Sequence, residues 1–136
     1  MARNLLHTAK AVKLISLIKE VEHFCATLEQ TDLSLNRLAA EEIALRMRDI
    51  VHEADTVALP KRLIPAARAI GDAAYLLDQL ISERLTASDD LIVTFDATDY
   101  QRTVDYTQKA LEALKLPALY YGADVGALET SGGLYL

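Results

Sequence analysis

Two acid–histidine pairs are the residues best spaced for chemistry. Glu20 and His23 form an E-x-x-H pair, and Asp49 and His52 a D-x-x-H pair. In four-helix carboxylate proteins, Glu-x-x-His pairs from facing helices hold two irons or manganeses between them. Such ligands must point into the bundle. At about 100° per residue, His23 falls roughly opposite the apolar stripe of its helix, and His52 does the same on the next. Both are expected on the solvent side, so no metal site and no cofactor is expected. His7 falls on the apolar side of the first helix without a paired acid or nucleophile. Glu41 and Glu42 are adjacent, and helix neighbours face different directions. Asp89 and Asp90 suit a solvated turn. The chain contains no G-x-S-x-G, no phosphate-binding loop and no G-x-G-x-x-G. Gly132 and Gly133 lie three residues from the chain end and cannot open a phosphate-binding helix. No catalytic residue is assigned, and the chain is not expected to be an enzyme.

The elements that carry these residues are helices. Ala11, Leu14, Ile18, Val21, Cys25 and Leu28 recur in steps of three and four, which stacks them on one helix face. The spacing predicts a first helix from Arg3 to Leu28. Ala39, Ile43, Met47, Ile50, Ala54 and Val57 mark a second from Leu35 to Val57, capped by Thr31, Asp32 or Ser34. Leu63, Ala66, Ile70, Ala74, Leu77 and Ile81 mark a third, ending near Leu85. It follows a tight turn at 58–64, with Pro65 in its first turn, where the missing N–H is harmless. Its segment PAARAIGDAAY is rich in small residues and allows either a close crossing within the chain or a seam between subunits.

Charge orients the first two helices. Helix one is basic at its start (Arg3, Lys10, Lys13, Lys19), and helix two ends acidic (Asp49, Glu53, Asp55). An antiparallel hairpin puts these groups side by side.

Residues 86–90 read as a linker. Leu91, Val93 and Phe95 then alternate with Ile92 and Thr94, the period of a strand. A lone strand needs a partner, and the candidates are the extended tail or the same strand of another copy. Thr98 and Gln101 suggest a capping box for a fourth helix from Asp99 to Leu114, which Pro117 stops or kinks. The last stretch, ALYYGADVGALETSGGLYL, holds half of the six tyrosines. Its apolar end either folds back on the bundle or docks on a neighbour. Tyrosine-rich apolar anchors favour a partner.

The expected fold is therefore all-α: a bundle of about four helices, a short strand near 91–95 and an extended glycine-containing tail. The bundle covers 1–116, with linker and strand at 86–97, and an interaction tail covers 117–136. The 136 residues fit one core, and the single Cys25 reads as a reduced core thiol of a cytoplasmic protein. No run of eighteen apolar residues exists, so no membrane span is expected. The basic start resembles a presequence, but the stripe continues past Glu20 to Leu28, as a removable leader would not require. Net charge is −6; residues 86–136 alone hold 3 basic and 8 acidic side chains. That balance argues against direct nucleic-acid binding.

The function these features favour is structural: a subunit acting through protein–protein interfaces, self-associating or joining a larger assembly. By analogy of architecture it suits a viral particle, at a portal or head–tail junction. The expected interface residues are Tyr120, Tyr121, Leu134, Tyr135, Leu136, Leu91, Val93 and Phe95. One rival is a small acidic regulatory binder of inhibitor or immunity type. The other is a helical-bundle metal protein.

Overall fold

The computed structural model describes residues 5–56 and 58–129, without the side chains of Thr56 and Glu129. Within them the chain is an all-α bundle with one short ribbon. Its helices are α1 (Leu5–Gln30), α2 (Arg37–Thr56), α3 (Ile64–Ala87), α4 (Ala97–Tyr120) and a final turn α5 (Gly126–Glu129). A 3-10 turn at Lys61–Leu63 precedes α3, and Pro65 sits in the first turn of that helix.

The four long helices run up, down, up and down. Ion pairs fix the sense of the first two. Lys13 Nζ lies 3.4 Å from Glu53 Oε1, and Arg46 donates to both oxygens of Glu20 at 2.6 Å each. Rising number on α1 thus meets falling number on α2, as the charge order predicts. Their axes are nevertheless bridged mainly by these long side chains. The most extensive packing is α2 on α3, followed by α3 on α4. Ala66, Ala67, Ala73 and Ala74 of α3 are all buried, so the small residues serve a crossing within the chain. Arg48 of α2 reaches Asp78 of α3 at 3.2 Å and Ser82 at 3.0 Å.

All six stripe residues of α1 are buried in one core with all six of α3 and with Ile43, Met47, Ile50 and Ala54 of α2; Ala39 is half-buried, its neighbour Ala40 taking the core position, and Val57 lies outside the described residues. Helix one buries more than its stripe: Leu17 and Glu22 are also inside. Lys19 donates to the Glu22 carboxylate and, at 3.2 Å, to the carbonyl of Ala127. The chain after α4 therefore returns along α1, and Ala123 and Leu128 join the same core.

The strand finds a partner that the sequence does not advertise. Ile92–Thr94 (β2) pairs antiparallel with Ser34–Asn36 (β1), in the connection between α1 and α2, with Leu35 opposite Val93. This replaces the expected pairing with the tail or with another copy. The connection folds this way because α1 ends in a Schellman turn. The N–H of Leu33 bonds the carbonyl of Leu28 at 2.8 Å, and that of Asp32 bonds Glu29 at 3.2 Å. Asp32 and Leu33 both take left-handed φ, 59° and 58°, which turns the chain sharply into β1.

Three further boundaries differ from expectation. Asn36 Oδ1 accepts from Leu38 N at 2.9 Å, so the start of α2 is capped by Asn36 and not by Thr31, Asp32 or Ser34. Asp96 Oδ1 accepts from the N–H groups of Thr98 and Asp99, so α4 begins two residues before Asp99, without the Thr98–Gln101 box. Pro117 does not stop α4, which continues to Tyr120. A second Schellman turn closes it: Ala123 N bonds Ala118 O at 3.0 Å, Gly122 N bonds Leu119 O at 2.9 Å, and Gly122 takes φ 84°. Buried Ala118 and Ala123 supply the apolar contact that accompanies such a turn.

Candidate interaction surfaces

The eight expected interface residues separate into four groups. Val93 and Phe95 lie inside the chain's own core, 3% and 4% exposed, because the ribbon turns that face of β2 inward. Leu91, just before β2, stays outside at 78%. Tyr120 is exposed and Tyr121 half-buried at the end of α4. Leu134, Tyr135 and Leu136 lie outside the described residues.

Tyr120 and Tyr121 sit where the start of α1, the turn before α3 and the end of α4 meet. Thr8 Oγ1 donates to the carbonyl of Tyr121. His7 meets the Tyr121 ring edge-on, with centroids 5.2 Å apart, so its apolar-side position is used for packing. The Arg62 guanidinium lies over the Tyr120 ring at 4.1 Å, a cation–π contact that holds the ring in one orientation. Tyr120, Leu116, Leu119, Pro117 and Arg62 line one shallow depression. Leu116 (77% exposed), Leu119 and Tyr120 of α4, with Leu5 and Leu6 at the start of α1, place five large apolar side chains in solvent at this end.

The structure also holds a groove the sequence did not predict. Between the end of α2 and the start of α3 lies a cleft of about 570 Å³. Val51, Ala54 and Asp55 form one wall, and Ile64, Arg68, Gly71, Asp72 and Tyr75 the other, with Leu59 at its end. The sequence signal was Gly71. A Cβ at that position would meet nothing within 4 Å, so the glycine opens the groove's wall and is not needed for packing inside the chain.

The residues with possible chemistry do not converge. His23 and His52 are exposed on the outer sides of α1 and α2, with the His23 ring edge-on to Phe24. Among the described residues, no group of three or more His, Cys, Asp or Glu is placed to hold a metal ion. Cys25 is fully buried and unbridged, 3.8 Å from Thr107 Oγ1. Burial pushes its thiol up to about 12, so it is a poor nucleophile at neutral pH. Tyr100 donates to the Cys25 carbonyl at 2.8 Å, and burial raises its hydroxyl above the usual range. Among the described residues, no helix is long and apolar enough to cross a membrane. No family pattern, curated protein or solved structure matches the chain.

Proposed function

We propose that this chain is a non-enzymatic assembly subunit working through contacts between polypeptides, with the outer end of α1 and α4 as a principal contact. One observation carries this reading: Leu116, Leu119 and Tyr120 are exposed together around one depression, with Leu5 and Leu6 exposed at the same end of the bundle. Singly exposed apolar residues are ordinary, but a cluster marks a contact surface. The Arg62–Tyr120 stack adds an aromatic anchor oriented before binding, which lowers the ordering entropy lost on association. A compact helical subunit of a particle, such as a portal or head–tail junction component assembled in the cytoplasm, is a setting that suits it. The buried, unbridged Cys25 supports a reducing compartment.

Sedimentation of the full chain across a wide concentration range tests the proposal. The expected result is a defined homo-oligomer whose mass falls when Leu119 is replaced by Asp. A wild-type chain that stays monomeric throughout overturns self-assembly and favours the small acidic regulator.

A further inference from the structure

We infer that the α2–α3 groove is a self-association site, occupied by the same stretch of α3 from a second copy running antiparallel. The inference rests on the assembly reading above and adds a second, separate contact to it. At about 100° per residue, Ile64, Arg68, Gly71, Asp72 and Tyr75 fall within an arc of roughly 100°, on the side of α3 away from buried Ala66 and Ala73, with buried Ala67 also lining the groove. Read in either direction from the middle, this face is self-complementary. An apolar residue stands at each end, a charge lies inside each, and the charges are opposite. Turning one copy over against the other about the level of residue 70 sets Arg68 against Asp72 twice and Tyr75 near Ile64 twice. That is the isologous pattern a two-fold dimer requires.

Three features of the single chain fit this occupant. None of the ion pairs among the described residues involves Arg68, Asp72 or Asp55, so these charges are not committed within the subunit. Gly71 lies near the crossing point, and its missing side chain lets two helix backbones approach where a larger residue would hold them apart. Tyr75 is half exposed and Ile64 partly so, and the cleft between α2 and α3 gives the opposing Tyr75 a concave seat beside Leu59. Asp55 on the far wall adds an acid near the incoming Arg68. With the α1–α4 end as a different contact on the same subunit, the two contacts together allow a closed oligomer larger than a dimer.

Charge reversal in the full chain tests the pairing. Arg68→Asp and Asp72→Arg each place like charges together twice, and each is expected to weaken the dimer by about tenfold or more. Combining the two reversals restores opposite charges and is expected to recover most of that loss, with Asp55 limiting full recovery. Circular dichroism checks that every variant keeps its helices. As a second measurement, Gly71→Leu is expected to hold the two helices apart and weaken the dimer while leaving the subunit's fold unchanged, since a side chain there meets nothing within its own chain. A wild-type oligomer insensitive to single reversals, or a double variant no better than the worse single one, overturns this pairing while leaving the assembly reading intact. A foreign helix or a small ligand as the groove's occupant gives that same insensitive result. A wild-type chain that is monomeric at every concentration overturns both.

Discussion

The two ends of the bundle are built on opposite principles. At the ribbon end, backbone groups that would otherwise lack partners are satisfied within the chain. β1 takes the edge of β2, and the ladder continues through Phe95 N to Leu33 O at 2.8 Å and Arg37 N to Leu91 O at 2.7 Å. Arg37 also donates to the carbonyls of Leu85 and Ser88 at the end of α3, at 2.6 Å each. Although Leu38, Leu91 and Ile92 remain exposed there, the backbone beneath the ribbon is closed. At the other end the Gly122 turn closes the backbone of α4, but large side chains beside it point out. A bundle of this size can close both ends. An end left apolar while its backbone is satisfied is better explained by a contact than by incomplete folding.

The contrast predicts where substitutions unfold the chain and where they only disconnect it. Phe95→Ala at the ribbon end is expected to give the largest loss, about 3–5 kcal/mol in urea denaturation, through the cavity left in the core. If Phe95→Ala instead leaves stability unchanged and lowers the mass in solution, the ribbon faces a neighbour and the contrast fails. Next, Arg37→Met should cost about 1–3 kcal/mol, because the two carbonyls ending α3 lose their charged donor. Its ion pair with half-exposed Glu41 contributes little to that figure. Hydrogen exchange should then quicken at the end of α3 and along β2, with the α1–α4 end unaffected.

At the open end the same measurements should separate. Leu119→Asp replaces a side chain already 56% exposed, so its effect on unfolding is expected to stay within about 0.5 kcal/mol. Its effect on association should be large by comparison. A loss of stability as great as that of Phe95→Ala would mean that Leu119 is covered by its own chain, and the two ends would then be alike.

How much of this was legible depends on how local each signal is. The stripes of α1 and α3 report burial residue by residue, that of α2 does so from Ile43 to Ala54, and Pro65 marks the start of α3 directly. β2 was readable because alternation over 91–95 is a local pattern. Its partner was not, because Ser34–Asn36 is too short to show a period. The turn that delivers it places Leu33 at φ 58°, a conformation no sequence rule expects of leucine. Asp96 and Thr98 both suit a cap, and only the backbone geometry chooses between them. Pro117 follows twenty helical residues of α4 that already pack on the core, and that tertiary packing outweighs one missing hydrogen bond. Tyr120 was visible by type as a candidate anchor, and the structure leaves it exposed. The groove was not, because Ile64, Arg68, Gly71, Asp72 and Tyr75 form a surface only once α2 lies beside them.

A smaller effect than those at the ribbon end is electrostatic and lies midway between the two ends. Arg46 holds both oxygens of Glu20 and reaches Glu53 at 3.2 Å. The hydrogen bonds from Arg46 hold the Glu20 carboxyl below its ordinary 4.5, against the opposing effect of partial burial. A folded-state pKa below the unfolded one stabilises the fold above the unfolded value, and that contribution disappears as pH falls through the folded value. The Arg46→Met variant, which keeps much of the side chain's apolar stem, should therefore be less stable than the parent near neutrality. The gap should narrow as pH drops below about 4.5. Both partners are about a third exposed, so solvent screening keeps the gap under about 1 kcal/mol. A gap that stays constant with pH would mean that Arg46 acts by covering apolar surface between α1 and α2. The hairpin would then be held together by packing, as the ribbon end is, and charge would have set only its direction.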